Sequence, residues 1–437
     1  MSFFGSLGTA VQGIIAQATA IGHISDNVAN STAIGYKEVN TLFADMVSSK
    51  VIGDSPVMDS NRSMGVRAIA DFANRVQGTI IRDNSSTSIA ISGSGFIPVS
   101  KPTGIDRNTG EPTGFESSTY YTRLGDFKLD ISNRLVNSAG YYLQAAAPGG
   151  NTPRDFVVDN SPIPADPTSL VNYKANLPAS AQIGRTYSTG IGIVDANSIE
   201  QSFQVVWEKT GDDSWNMTIN TPGGTPKSFG PVAVTFANGV LASMSSTDPS
   251  LEVSGNGAAT VAFSADFGAG AQAITLDLGT FGGGFDFNES SGLTQFSSQV
   301  SEITNLNLFQ NGLVGGDFSS VSFDEDGNII YNYTNGRSRI GGQLLLANFP
   351  EPDRLDRVDG TAFVETRNSG RVTFGLPGDV NNKAGVGDLV AGALEQSNVD
   401  VSEQMTRLIV AQRAYSMNGQ VLTATDEMMS RAIDMKR

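Results

Sequence analysis

The stretch Leu7-Gly8-Thr9-Ala10-Val11-Gln12-Gly13-Ile14-Ile15-Ala16-Gln17-Ala18-Thr19-Ala20-Ile21-Gly22 opens the chain's first regular element and decides what kind of fold begins there. Leu7, Val11, Ile14, Ala18, Ile21 and Val28 recur at alternating spacings of four and three, with Ser25 in the one missing place. That period lays an apolar stripe along one side of a helix. Gly8, Gly13 and Gly22 interrupt it, each costing about 1 kcal/mol relative to Ala. A helix weakened by roughly 3 kcal/mol does not hold itself up in water and needs a partner surface.

The far end of the chain mirrors this pattern. Val401, Met405, Leu408, Gln412, Tyr415, Gly419, Leu422, Asp426, Met429 and Ile433 follow the same four-three alternation. Asp400, with Glu403 three residues on, predicts a capping pair, and Arg431, Lys436 and Arg437 put positive charge where the helix dipole favours it. Leu408, Tyr415 and Leu422 are the expected knobs facing Leu7, Val11, Ile14 and Ile21. A buried Leu contributes about 1.5–3 kcal/mol, so several together offset the glycine penalty only if the two helices meet. Gln412 on the stripe would set register, as polar positions do in coiled coils, or else lie in solvent. The same stripes would also suit ordinary helices, each packed on its own domain.

Everything between the ends has a strand period. Ser88-Ile89-Ala90-Ile91-Ser92 alternates, and Gly93-Ser94-Gly95 turns it into Phe96-Ile97-Pro98-Val99. Short strands are predicted around Tyr120–Leu124, Phe127–Leu129, Phe203–Trp207, Trp215–Ile219, Val232–Phe236, Val321–Phe323, Ile329–Tyr333 and Leu344–Ala347. Asn238-Gly239, Asp326-Gly327-Asn328 and Asn335-Gly336 are the turns between them. The fold class is mainly β with α-helical termini. Pro148-Gly149-Gly150, the Pro-rich run from Pro162 to Pro167, and the Gly- and Ser-rich passage from Phe281 to Ser291 mark junctions, with an inserted β domain between them.

A chain of 437 residues with 49 Gly and only 16% charged residues suits two or more β-rich domains. The net charge of −16 repels nucleic acid and anionic lipid, so neither is an expected partner. Cysteine is absent, which removes disulfides, thiolate nucleophiles and Cys-ligated zinc. The start has no basic segment, and no apolar run is long enough to cross a bilayer, so neither a cleaved secretory signal nor membrane insertion is expected.

Nothing in the chain assembles into a catalytic pattern. His23 is the only histidine, and no G-x-S-x-G elbow accompanies it. Asp324-Glu325-Asp326-Gly327-Asn328 has its Gly too early for a calcium loop and is better explained as a hairpin turn. Gly93-Ser94-Gly95 lacks the third Gly and the helix of a dinucleotide site. No catalytic residue, cofactor or metal is expected, and an enzyme is the least favoured class.

Three motifs in order carry a family likeness. The first is Asp26-Asn27-Val28-Ala29-Asn30 with Gly35-Tyr36-Lys37 and Phe43-Ala44-Asp45-Met46. The second joins Ile89-Ala90-Ile91-Ser92-Gly93-Ser94-Gly95-Phe96 to Thr122-Arg123-Leu124-Gly125-Asp126-Phe127-Lys128-Leu129-Asp130. The third is Ala393-Leu394-Glu395-Gln396-Ser397-Asn398-Val399-Asp400 with Ala411-Gln412-Arg413-Ala414-Tyr415. Together they resemble the bacterial flagellar axial proteins, the rod and hook subunits, and the large insert makes the chain more similar to the hook members. The stretch 147–299 matches that family poorly.

The resemblance implies terminal helices from 1–30 and 400–437 paired as a coiled coil lining a channel. It further implies a connecting segment of 31–72 with 388–399, a discontinuous inner β domain of 73–146 with 300–387, and an inserted outer β domain of 147–299. It implies a helical homopolymer, torque transmission through a flexible curved tube joining rod to filament, contacts with rod, hook-cap and hook-filament junction proteins, and export through the flagellar type III apparatus to an extracellular position. Residues expected to serve subunit assembly are Leu7, Val11, Ile14, Ile21 and Val28 on the first stripe, and Met405, Leu408, Gln412, Tyr415, Leu422 and Met429 on the second. Asn27, Asn30 and Gly35 are expected to make a capped exit and tight turn, directing the following segment toward neighbouring subunits. The rival expectations are a distal rod subunit, which would lack the insert, and a secreted β-rich adhesin.

Overall fold

The computed structural model describes residues 3–48, 62–107, 109–255, 257–283, 292–297, 301–378 and 384–435. Helix α1 spans Phe3–Ala29 and helix α2 spans Val401–Asp434. Among the described residues the regular structure between them is β-strand, apart from a short 3-10 turn at Pro352–Arg354. Lys436 and Arg437 lie outside the described residues, as do residues 284–291 of the Gly- and Ser-rich passage.

The two helices pack against each other and run antiparallel, since Asn27 meets Gln404 while Gly13 lies against Asn418. The buried face of α1 is made of Ala10, Gly13, Ala16, Ala20, Ile24 and Asn27. On α2, Gln404, Ala411 and Thr425 are buried, with Leu408, Asn418, Leu422 and Met429 half-buried along the same side. A side chain at Gly13 would bring a Cβ to 2.9 Å from Asn418 Nδ2, so the bare backbone is what admits the close approach.

This corrects the expected facing of the stripes within one chain. A helix turns about 100° per residue, so Leu7, Val11 and Ile14 lie well round from the Ala10-Gly13-Ala20 side, while Ile21 and Val28 flank it. Val11 is exposed and the other four are half-buried. On α2, Met405, Gln412 and Tyr415 are exposed, whereas Leu408, Leu422 and Met429 sit on the seam side. The expectation weighed the size of apolar side chains. On α1 the seam is mostly small residues with Ile24, which make room for Leu408, Leu422 and Met429 of α2, while Val11, Met405 and Tyr415 are left outward.

The segment after α1, expected only as a connector, forms a long antiparallel hairpin of β1 (Val39–Ser48) and β2 (Arg62–Phe72), in register from Val39 opposite Phe72. Both strands pack on α1. His23 Nδ1 lies 2.8 Å from Thr41 Oγ1 of β1, a structural contact.

By their contacts the residues divide into two compact units, 1–160 with 320–332 and 338–437, and 161–319 with 333–337. The insert expected at 147–299 therefore starts and ends later. Arg154–Asp155 pairs with Tyr142–Ala145 and stays in the first unit, while Thr304–Gln310 pairs with Leu170–Asn176 and joins the second.

In the first unit, β3 (Ile80–Arg82) pairs with Ala393–Glu395 and β4 (Ile89–Ser92) with Asp388–Ala391, so the returning chain closes on strands laid down early. Next come β5 (Ile97–Ile105) and β6 (Pro112–Thr122), the centre of a sheet that reaches Ala362–Val364 on one side and Tyr142–Ala145 on the other. Phe96, Tyr121, Phe349 and Phe363 form its aromatic core with edge-to-face contacts. The second unit contains two five-stranded sheets sharing one core, with inward residues alternating as the strand period requires. Trp207 Nε1 donates to the Tyr173 hydroxyl at 3.1 Å and Trp215 Nε1 to Gln295 Oε1 at 3.2 Å, so both buried indoles are satisfied.

Candidate assembly site

The exit of α1 is held by one saturated side chain. Asn27 Nδ2 donates to the Val39 carbonyl at 2.9 Å and to Gln404 Oε1 at 3.1 Å, and its Oδ1 accepts from the Val39 N–H at 3.0 Å and the Tyr36 hydroxyl at 3.1 Å. An amide can make four such bonds, and here every one is used inside the protein. Asn27 is therefore more than an end cap: it ties α1, the following turn, β1 and α2 together. Asn30 acts locally, donating to the Asp26 carbonyl at 2.8 Å on the surface. Gly35 has φ +69°, and a Cβ there would sit 2.8 Å from the Leu124 nitrogen, so both backbone conformation and space demand glycine.

Beside that turn lies a buried charge cluster. Glu395 is fully buried; its Oε1 accepts from Lys37 Nζ at 2.6 Å and the Gly78 N–H at 2.8 Å, and its Oε2 from Arg123 at 3.0 Å. Lys37 also donates to the Val76 carbonyl at 2.6 Å and Arg123 to the Gly93 carbonyl at 2.7 Å, while the Arg123 guanidinium lies 5.3 Å from the Phe96 ring centroid. Burial pushes the Lys37 ammonium below its ordinary value, and the Glu395 carboxylate pulls it partly back. Each of the three sequence motifs supplies one charge. Sequence reasoning quoted all three residues without giving them this role. The available signal was a charge inside an apolar run, Arg123 close after Tyr120-Tyr121 and Glu395 after Ala393-Leu394.

Where α2 begins, Asp400 Oδ1 accepts from the N–H groups of Ser402 at 2.8 Å and Glu403 at 3.2 Å, making the expected cap. Glu403 turns instead to Arg407, 2.6 Å away, and Arg407 also reaches Glu38 at 3.0 Å and Asn40 of β1. A groove of about 540 Å³ runs between the helices and the hairpin, with Ile24, Leu42, Phe43, Val410 and Ala414 in its walls. From Val410 at its rim, the outer face of α2 continues through Met417, Val421 and Met428, the four between 48% and 63% exposed and at spacings of seven and four. On α1, Val11 and Ile15 are 38% and 53% exposed.

Residues 90–182 match the family model described as the flagellar hook protein FlgE/F/G D1 domain, and residues 390–435 match the flagellar basal body rod FlgEFG protein C-terminal model. The flagellar hook protein FlgE of Brucella abortus is 30% identical, with all of both chains covered. That of Escherichia coli K12 is 28% identical, covering 98% of this chain and 99% of its own. A crystal structure of Helicobacter pylori FlgE2 matches 72% of this chain and 100% of its own at 12% identity and a TM-score of 0.43, too distant to add to the assignment. Identity along the full length, with both terminal regions and the first β unit matched, shows that the chain belongs to the flagellar hook protein family.

Proposed function

We propose that this hook subunit polymerises through the outward apolar faces of its terminal helices, with the seam between α1 and α2 holding each copy together. The observation that carries this is the run Val410, Met417, Val421 and Met428, left in solvent at helical spacing with Val11 and Ile15 exposed on α1. A monomeric protein gains nothing from such a run, whereas each side chain buried between copies contributes about 1.5–3 kcal/mol. The half-buried Leu7, Ile14, Ile21 and Val28 widen the α1 face, and Met405 and Tyr415 offer further uncovered surface on α2.

In this proposal the helix pair is a coiled coil lining the tube's channel. Weak polar contacts between β units of neighbouring copies let them slide as the tube bends and carries torque. The partners are other copies, then rod, hook-cap and hook-filament junction proteins. Delivery is by type III export. These finer points rest on the family likeness. Electron microscopy of the purified chain at high concentration tests the proposal. Short curved tubes support it, straight tubes favour a rod-like role, and dispersed monomers overturn it.

A further inference from the structure

A polar cleft of about 670 Å³ opens on the first unit, with Ser118, Tyr121, Glu365, Thr366, Arg367 and Arg371 in its walls. Arg367 and Arg371 are exposed, and among the described residues neither has an ion pair or side-chain hydrogen bond. The loop that carries them is fixed. Buried Ser369 donates its hydroxyl to the Thr366 carbonyl at 2.9 Å, and its N–H to Thr366 Oγ1 at 3.1 Å. Thr366 Oγ1 donates to the Arg354 carbonyl at 2.8 Å, and the Glu351 N–H donates to the Ser369 carbonyl at 3.1 Å. Two guanidinium groups on a rigid base lose little freedom when an anion arrives, and their fork geometry suits carboxylates.

The same unit presents a rigid acidic tip. In the turn Asp324-Glu325-Asp326, Asp324 is engaged, accepting from the Asn328 N–H at 2.7 Å and Asn328 Nδ2 at 2.8 Å. Glu325 and Asp326 are left exposed. Copies of a chain with net charge −16 repel one another, so a contact between them benefits from a local pairing of opposite charge.

We infer that the Arg367–Arg371 cleft receives the Glu325-Asp326 turn of a second copy. The contact joins two different patches of one surface and is therefore head-to-tail, the kind that propagates into an open helical polymer when its rotation does not close a ring. The inference rests on the polymerisation proposed above and adds a charge-specific contact outside the helices.

The test reverses each side separately and then both together in the full-length chain. R367E/R371E and E325K/D326K are each expected to raise the concentration needed for tube formation by about tenfold or more, and the fourfold variant to recover most of that loss, since tenfold corresponds to about 1.4 kcal/mol. Thermal unfolding of the dilute chains checks that each variant folds. If either reversed variant forms tubes as the wild type does, or if the fourfold variant recovers nothing, the contact is overturned while polymerisation through the helices stands. A wild-type chain that forms no tubes removes the polymerisation proposal and this inference with it.

Discussion

Asn27 Nδ2 donates to Gln404 Oε1 across 3.1 Å, joining residues 377 positions apart at the two ends of the chain. Gln404 Nε2 continues the line to Glu38 at 2.9 Å, and Glu38 meets Arg407. The ends are thus held together by polar bonds near the β hairpin, in addition to the packing of α1 on α2.

Replacing Asn27 with Leu leaves the Val39 N–H and carbonyl, the Tyr36 hydroxyl and Gln404 Oε1 without this partner. Buried groups left unpaired cost about 1–3 kcal/mol each, so with four of them a total loss of about 4 kcal/mol or more is expected. Denaturant unfolding of the dilute chain measures it. A change under about 0.5 kcal/mol would show that the node is dispensable.

Glu395→Ala strands Lys37 and Arg123 in the interior, and breaking a buried pair this way costs about 3–5 kcal/mol. Adding Lys37→Met to Glu395→Ala removes one stranded charge and is expected to recover part of that loss. Equal stabilities for the single and double variants in urea would count against the cluster as drawn.

Lys37 releases its proton more readily in the folded chain than its ordinary value of 10.5 allows, because burial disfavours the ammonium. In the window below 10.5 and above the folded value, the unfolded chain binds more protons, so the Lys37 contribution to stability rises with pH. The stability difference between wild type and Lys37→Met, followed by urea unfolding from neutral to alkaline pH, should therefore move in favour of the wild type. Movement the other way would mean that attraction to Glu395 outweighs burial.

The helix glycines divide by surroundings. Nothing lies within 4 Å of a Cβ built at Gly8 or Gly22, so Gly22→Ala should stabilise the dilute chain by up to about 1 kcal/mol. Gly13→Leu should destabilise it by pushing against Asn418. Thermal unfolding followed by circular dichroism separates the two. A stabilising Gly13→Leu would place the α1–α2 seam elsewhere.

Terminal helices and most of the strands were legible because period alone reports them; Trp207 and Trp215 even fell at inward positions. The side on which α1 meets α2 was not. Ala10, Gly13 and Ala20 carry little hydrophobic signal, and their value lies in allowing close approach, which only the partner's position reveals. The β1–β2 hairpin was missed for a related reason: Leu42 and Phe43 are neighbours and both exposed, so the strand lacks the alternation of a half-buried sheet. Lys37, Arg123 and Glu395 come together from three distant segments, and their pairing exists only in the fold. Asn27 and Gly35 could be singled out by type, but the four bonds of the one and the crowding of the other could not.

The most direct measurement of the central claim compares tube formation by wild type and by V11D/V421D, two outward positions absent from the α1–α2 seam. The variant is expected to melt within a few degrees of the wild type when dilute, since surface changes usually cost within about 0.5 kcal/mol, yet to sediment as a monomer where the wild type forms tubes. A variant that forms tubes at the wild-type concentration would contradict the claim that these faces join one copy to the next.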